Sequence, residues 1–222
     1  MKKKILIIAP HPDDEILGVG GSAAKYAAIG YDVTVLTIAG HRPPLYSEDI
    51  YQQTVKESKL AHKKANIKRS IFLDFPATTL KEIPTYQFNA KICDIVYEIE
   101  PNIVFCPYPD RHIDHRIVFE SAMVATRPIK KGKFIDMIAA YETLSETHWN
   151  APHIESNFVP NWIIDITGYI DVKIASLECY QSQISPFPNP RSIEAIIALS
   201  KFRGTQAGFA YGEAFQIIRK CS

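Results

Sequence analysis

The chain has 222 residues, with 25 Lys+Arg against 24 Asp+Glu and seven histidines, for a formal charge of +1. At 46% hydrophobic and 22% charged residues it has the composition of a folded globular chain, not a disordered or fibrous one. The balanced charge lacks the basic excess of a dedicated nucleic-acid binder, so no nucleic-acid partner is expected.

In chain order, the basic start MKKK leads into the apolar run Ile5–Ala9, which stops at Pro10 and meets His11, Asp13, Asp14 and Glu15. That run is short for the apolar core of a signal peptide, about 7–15 residues, and reads as a buried strand. Ile16–Ile29 reads as a helix ending at Gly30, a residue suited to a C-cap. Strands are expected at Val33–Ile38, Ile71–Leu73 and Ile103–Cys106, with helices between them at Asp49–Ala65 and Tyr86–Ile99. A helix at His115–Ala125, strands at Met137–Tyr141 and Trp162–Ile166, helices at 169–182 and 191–203, and a last strand near Ala214–Ile218 follow. Strands alternating with helices of this length predict βαβ units and a mostly parallel α/β sheet. The continuous apolar runs fit strands covered by helices on both faces.

At roughly 150 residues per domain the length allows one to two domains. No repeat or linker divides the chain, and the prolines at 152–160 and 186–190 separate segments too short to be domains, so a single domain over 1–222 is expected. No stretch approaches the roughly 18 uncharged apolar residues of a membrane span. Cys93, Cys106, Cys179 and Cys221 lie far apart with no Cys-x-x-Cys, which fits a reducing, cytoplasmic setting.

In open α/β sheets ligands sit beyond the carboxyl ends of the strands, so the segments after residues 9, 39, 74, 106 and 141 matter most. The first holds His11-Pro12-Asp13-Asp14-Glu15. Proline at the first helical position and acids in the first turn are also what any helix N-terminus favours, so Pro12–Glu15 alone has a structural explanation. His11 does not share it. An imidazole three residues before a carboxylate brings together two ligand types that zinc accepts at about 2.0–2.2 Å, and Asp13 would be a neighbouring carboxylate free to take a proton. Gly18-Val19-Gly20-Gly21 matches neither phosphate-loop spacing and reads as close helix–sheet packing.

The second constellation, Asp110-Arg111-His112-Ile113-Asp114-His115, follows another strand. Two histidines three apart on one helical turn point the same way. At carboxyl ends of a parallel sheet the two segments can converge. His11, Asp14 and one of the two histidines would then give three ligands and an open position, the pattern of a catalytic zinc site. Among the other histidines, His62 sits in a charged helix and reads as surface, while His41, His148 and His153 could border a pocket.

At these residues the sequence resembles the PIG-L/LmbE family of zinc-dependent N-acetylglucosaminyl deacetylases. The match rests on Ala9-Pro10-His11-Pro12-Asp13-Asp14-Glu15, then Leu17-Gly18 and Gly20-Gly21, and on Asp110-x-His112-x-Asp114-His115. Weaker echoes are Asp165-Ile166-Thr167 leading to Lys173 and Gln181-Ser182-Gln183, and Tyr211-Gly212-Glu213-Ala214-Phe215. The resemblance implies a Rossmann-like fold and hydrolysis of an N-acetyl group from an amino sugar, releasing acetate. It implies His11, Asp14 and His115 as metal ligands, Asp13 as general base, a protonated His112 as oxyanion stabiliser or acid, and Asp114 as a partner orienting a histidine. Zn²⁺ is the implied ion, although Fe²⁺ accepts the same ligands. Many sugar-thiol deacetylases of the family carry an arginine shortly before the glutamate of the second helix. Here the stretch reads Gln52-Gln53-Thr54-Val55-Lys56-Glu57, so the substrate does not carry over, and Arg42 or Arg111 could substitute. The expected partner is a small N-acetyl sugar or sugar conjugate, and a homo-oligomer is compatible with the sequence. Two other readings are a metal-dependent amidase or esterase on a non-sugar N-acyl metabolite and a non-catalytic α/β binding module.

Overall fold

A computed structural model describes residues 2–221. The elements are β1 (Lys4–Ala9), α1 (Asp14–Ala28), β2 (Asp32–Gly40), α2 (Glu48–Lys64), β3 (Arg69–Pro76), α3 (Thr85–Ile99), β4 (Ile103–Pro107) and α4 (Ile113–Ala125). They continue with β5 (Met137–Tyr141), α5 (Leu144–Thr147), β6 (Trp162–Asp165), α6 (Ile170–Leu177), α7 (Ile193–Thr205) and β7 (Gly212–Lys220). The strands form one sheet in the order β3-β2-β1-β4-β5-β7-β6. The first five are mutually parallel, and β7 runs antiparallel between β5 and β6.

The period-2 alternation of a strand splits β1 between two cores. Ile5, Ile7 and Ala9 face Ile16, Leu17 and Val19 of α1, whereas Leu6 and Ile8 face the side occupied by Ile92 and Val96 of α3 and Val118 and Ala122 of α4. That two-sided burial is why the run is continuously apolar.

β1 pairs with β2 on one side and β4 on the other, with Ile5 opposite both Val33 and Ile103. The chain order therefore reverses between β1 and β4, and a crevice opens there beyond the strand ends. The two polar constellations leave these two adjacent strands. Gly18 and Gly21 admit the sheet closely: a Cβ on Gly18 would lie 2.2 Å from the Tyr141 ring, and one on Gly21 2.8 Å from Ile166. α1 is also held from the far strands. Glu213 accepts hydrogen bonds from the Gly21 and Ser22 amides and pairs with buried Lys173, which donates to Leu17 O.

The structure departs from expectation in three places. α6 ends at Leu177, and residues 178–192 form turns rather than helix. The short α5 was not anticipated. His62 is not at the surface: it is 2% exposed, bonded to Ser70 Oγ at 2.7 Å and to Glu15 Oε1 at 3.1 Å. Within the charged pattern of α2, His62 is turned inward to meet a buried acid. No helix among the described residues is long and apolar enough to cross a membrane.

Candidate metal centre and active site

His11 and Asp14 descend from the end of β1, and Asp110, His112, Asp114 and His115 from the end of β4. Asp14 Oδ2 lies 3.3 Å from His11 Nδ1 and 3.3 Å from His115 Nε2, and all three side chains are buried. Donor atoms bonded at about 2.0–2.1 Å to a tetrahedral ion stand about 3.3–3.4 Å apart, so this spacing fits a divalent ion. His115 Nε2 is buried without a hydrogen-bond partner, an orphan that a metal would satisfy. The opposite ring nitrogens are anchored: His11 Nε2 meets Asp114 Oδ2 at 2.9 Å, and His115 Nδ1 meets Asp110 Oδ2 at 3.0 Å. Both carboxylates are themselves fixed, Asp114 by the Thr78 amide at 2.6 Å and Asp110 by the Thr147 hydroxyl at 2.8 Å. Carboxylate-backed imidazoles of this kind set ring orientation and basicity in metal sites. His112 stands beside them, and His11, His112 and His115 offer nitrogens that all lie within 4.8 Å of one another, so this trio could also hold an ion.

The electrostatics call for cations. Burial alone would pull the imidazoles down, but hydrogen bonds to Asp114 and Asp14 push His11 up to about 9. Asp14 and Asp110 likewise push His115 up to about 10 against its burial. Burial disfavours ionised Asp14, yet the charge of His115 and the hydrogen bond from His11 hold it well below the usual carboxylate range. Carboxylates thus dominate this pocket, and protons or a metal ion balance them. His112 behaves in the opposite way. Burial, then the charges of His11 and His115, pull it down to about 4. Its Nδ1 accepts the Asp114 amide at 3.1 Å and so caps α4, which leaves the proton of the neutral ring on Nε2. The ring with Nδ1 accepting that amide is a donor through Nε2.

Asp13 occupies φ 106° and ψ −31°, a strained region for a residue with a side chain. A helix-capping Asp would accept an α1 amide through its carboxylate; Asp13 does not, and neither of its buried oxygens has a hydrogen-bond partner. Its backbone amide is instead held by Glu15 Oε2 at 3.2 Å, and Glu15 is anchored by His62 and the Tyr180 hydroxyl. Burial, with the charges of Asp14 and Glu15, pushes the Asp13 carboxyl up to about 7, although Arg191 opposes it. A carboxyl near 7 suits a general base working at neutral pH.

These groups open onto a cavity of about 190 Å³ lined by His11, His41, Tyr46, Thr78, Arg111, His112, His115, Glu146 and Arg191 among others. His41 reaches it as the sequence suggested. His148 and His153 do not; His148 pairs with Glu142 at 2.9 Å instead. Of the two candidate arginines, Arg111 lines the cavity, while Arg42 is tied to Glu48 and Asp74. Asp110 stood in the quoted motif without an assigned role, and Glu146 and Arg191 were not singled out. Arg191 carries no local signal: it sits in the proline-rich stretch after α6 and reaches Asp13 Oδ2 at 3.3 Å only through the fold.

The chain is similar to proteins named as deacetylases. A diacetylchitobiose deacetylase of Thermococcus kodakarensis is 25% identical over 230 residues, covering 97% of this chain and 83% of its own. An uncharacterized deacetylase of Escherichia coli is 30% identical over 189 residues, covering 82% of this chain and 92% of its own. Among solved structures, the N,N′-diacetylchitobiose deacetylase of Pyrococcus horikoshii superimposes with a TM-score of 0.77 at 24% identity, covering 97% of this chain and 84% of that one. The sequence model of the family described as PIG-L, GlcNAc-PI de-N-acetylase, matches residues 6–126, a span that contains both polar constellations. The chain belongs to the PIG-L de-N-acetylase family.

Proposed function

We propose that this protein hydrolyses the N-acetyl group of an amino-sugar substrate, releasing acetate, with a divalent ion, Zn²⁺ by preference, held by His11, Asp14 and His115. The observation that carries the reading is the pair of 3.3 Å separations meeting at Asp14 Oδ2 beside an orphaned His115 nitrogen. We prefer this set to the three imidazoles because Asp14 Oδ2 stands 3.3 Å from both His11 Nδ1 and His115 Nε2, and because His112, accepting the Asp114 amide at Nδ1, keeps Nε2 as a donor toward substrate.

When bound, such an ion would supply Lewis acidity toward the acetamide carbonyl and toward water. The chain supplies the rest. Asp13, whose buried oxygens have no hydrogen-bond partner and whose Oδ2 lies 3.3 Å from Arg191 Nε, takes the proton of the attacking water as its oxygen bonds to the carbonyl carbon. His112 donates from Nε2 to the carbonyl oxygen as negative charge develops there. The proton held on Asp13 then passes to the departing nitrogen, the C–N bond breaks, and acetate and the free amine leave. Asp114 and Asp110 keep His11 and His115 in their orientations. A cytoplasmic location belongs to this reading, supported by four free thiols.

The test is metal analysis of purified protein joined to an acetate-release screen over N-acetyl sugars and N-acyl amines, with and without chelator. About one divalent ion per chain and chelator-sensitive release from sugars are expected. Release only from non-sugar amides would favour the amidase reading, and neither metal nor release would favour a binding module.

A further inference from the structure

We infer that the substrate presents a neutral sugar surface to this cavity, not a phosphate or carboxylate, because each of the two arginines lining it already has a carboxyl oxygen within 3.3 Å. The inference rests on the deacetylase reading and names its substrate class. Arg111 Nη2 lies 3.1 Å from Glu146 Oε2, and Arg191 Nε lies 3.3 Å from Asp13 Oδ2. Among the described residues lining the cavity no other arginine or lysine occurs. The remaining imidazole outside the metal cluster, His41, is half-buried, has a buried, unpartnered Nδ1 and packs edge-on to Tyr46, 4.9 Å between ring centroids. Burial pulls it down to about 4, which leaves it neutral. Just outside, Arg42 is tied to Glu48 and Asp74, and Arg116 to Glu155.

Ion pairing cancels the charge of a guanidinium but not its donors. Arginine has five N–H groups in a fixed fork, and Arg111 approaches Glu146 through one terminal nitrogen at 3.1 Å without a hydrogen bond to it, so hydrogens remain for hydroxyl oxygens. An anion placed there would meet Glu146 as well as Arg111, and the two Coulomb terms nearly cancel. Tyr46 lines the cavity with an aromatic ring, and Trp149, 58% exposed, lies with its ring 5.6 Å from the Arg111 guanidinium. The cavity thus offers hydrogen-bond donors and a ring face, the combination a neutral polyol uses.

The assay compares metal-loaded wild type with Glu146→Gln and Arg111→Gln by acetate release at low ionic strength. Probes are N-acetylglucosamine and N,N′-diacetylchitobiose against N-acetylglucosamine 1-phosphate and 6-phosphate. Wild type is expected to prefer the neutral probes in kcat/KM. Glu146→Gln frees the charge of Arg111 and should shift the anionic-to-neutral ratio upward by about tenfold. That is the factor expected of one unit charge about 10 Å away at an effective dielectric of about 20. The shift should shrink in 0.5 M salt, which a merely structural change would not do. Arg111→Gln leaves Glu146 unmatched and should move the ratio the other way. Wild-type preference for the phosphates, or ratios unmoved in both variants, would overturn the inference. If wild type releases acetate from none of the probes but from a non-sugar amide, the deacetylase reading fails and this one falls with it.

Discussion

Asp13 sits one residue before α1 with its backbone at φ 106°, although nothing in helix capping requires that conformation. Such strain costs about 1–3 kcal/mol and persists where surrounding contacts impose it. Here Glu15, itself bonded to His62 and Tyr180, holds the backbone amide, while the carboxylate lies against Arg191 without a hydrogen-bond partner. Replacing Asp13 by Asn keeps size and strain but removes the base. We expect Asp13→Asn to bind one metal ion as wild type does and to lose about 10²–10⁴ of kcat, read by metal analysis and acetate release. Near-wild-type turnover would remove Asp13 from the mechanism. Asp110 acts one bond further out, through His115 Nδ1. Asp110→Asn should weaken metal affinity about 10–100-fold, measured by competition with a chromophoric chelator. An unchanged affinity would mean that Thr147 and the α4 backbone suffice to orient the ring.

At the scale of elements, α1 is the part that must not shift, because it carries Asp14 and follows Asp13 directly. It is pressed against Tyr141 at Gly18 and Ile166 at Gly21, and tethered by the Glu213–Lys173 pair. Tyr141 cannot simply swing away, since its hydroxyl donates to Ile8 O at 2.9 Å. Gly18→Ala would place a methyl 2.2 Å from Tyr141 Cδ2 and 3.0 Å from Glu142 O. Overpacking of this kind costs about 1–3 kcal/mol, to be measured as a lowered urea midpoint with an unchanged m-value. Full stability in that variant would show that the helix has room to move. The Gly-rich stretch after the acidic turn is thus explained by packing, as its failure to match a phosphate loop indicated.

For the whole molecule, Glu142 at the end of β5 joins the sheet to α7 through Arg203, which donates to both carboxylate oxygens at 2.7 and 2.6 Å, and to His148 at 2.9 Å. Burial disfavours the charged carboxylate, but His148 and Arg203 outweigh it and hold Glu142 below its usual 4.5. A depressed folded-state value means that the stabilisation is complete above about 4.5 and is lost as pH falls through the folded value. Wild type should therefore lose thermal stability more steeply than Glu142→Gln below pH 4.5. The variant should be the less stable at pH 7, and the two should converge in acid; parallel Tm–pH curves would refute the linkage. The alternating apolar runs by themselves determined the order of strands and helices and the parallel sheet, because buried periodicity is a local property. The ends of β1 and β4 could also be read as a metal site, because His11-Pro12-Asp13-Asp14 and His112-x-Asp114-His115 each concentrate ligands within one turn. What only the tertiary structure decided depends on which strands become neighbours and which way a side chain turns. It placed β4 beside β1 so that the two turns share Asp14 Oδ2, buried His62 against Glu15, and made His112 the cap of α4. It also brought Arg191 from 178 residues away onto the catalytic carboxylate, a contact that no local pattern encodes because chain separation and spatial distance are independent once the sheet has formed.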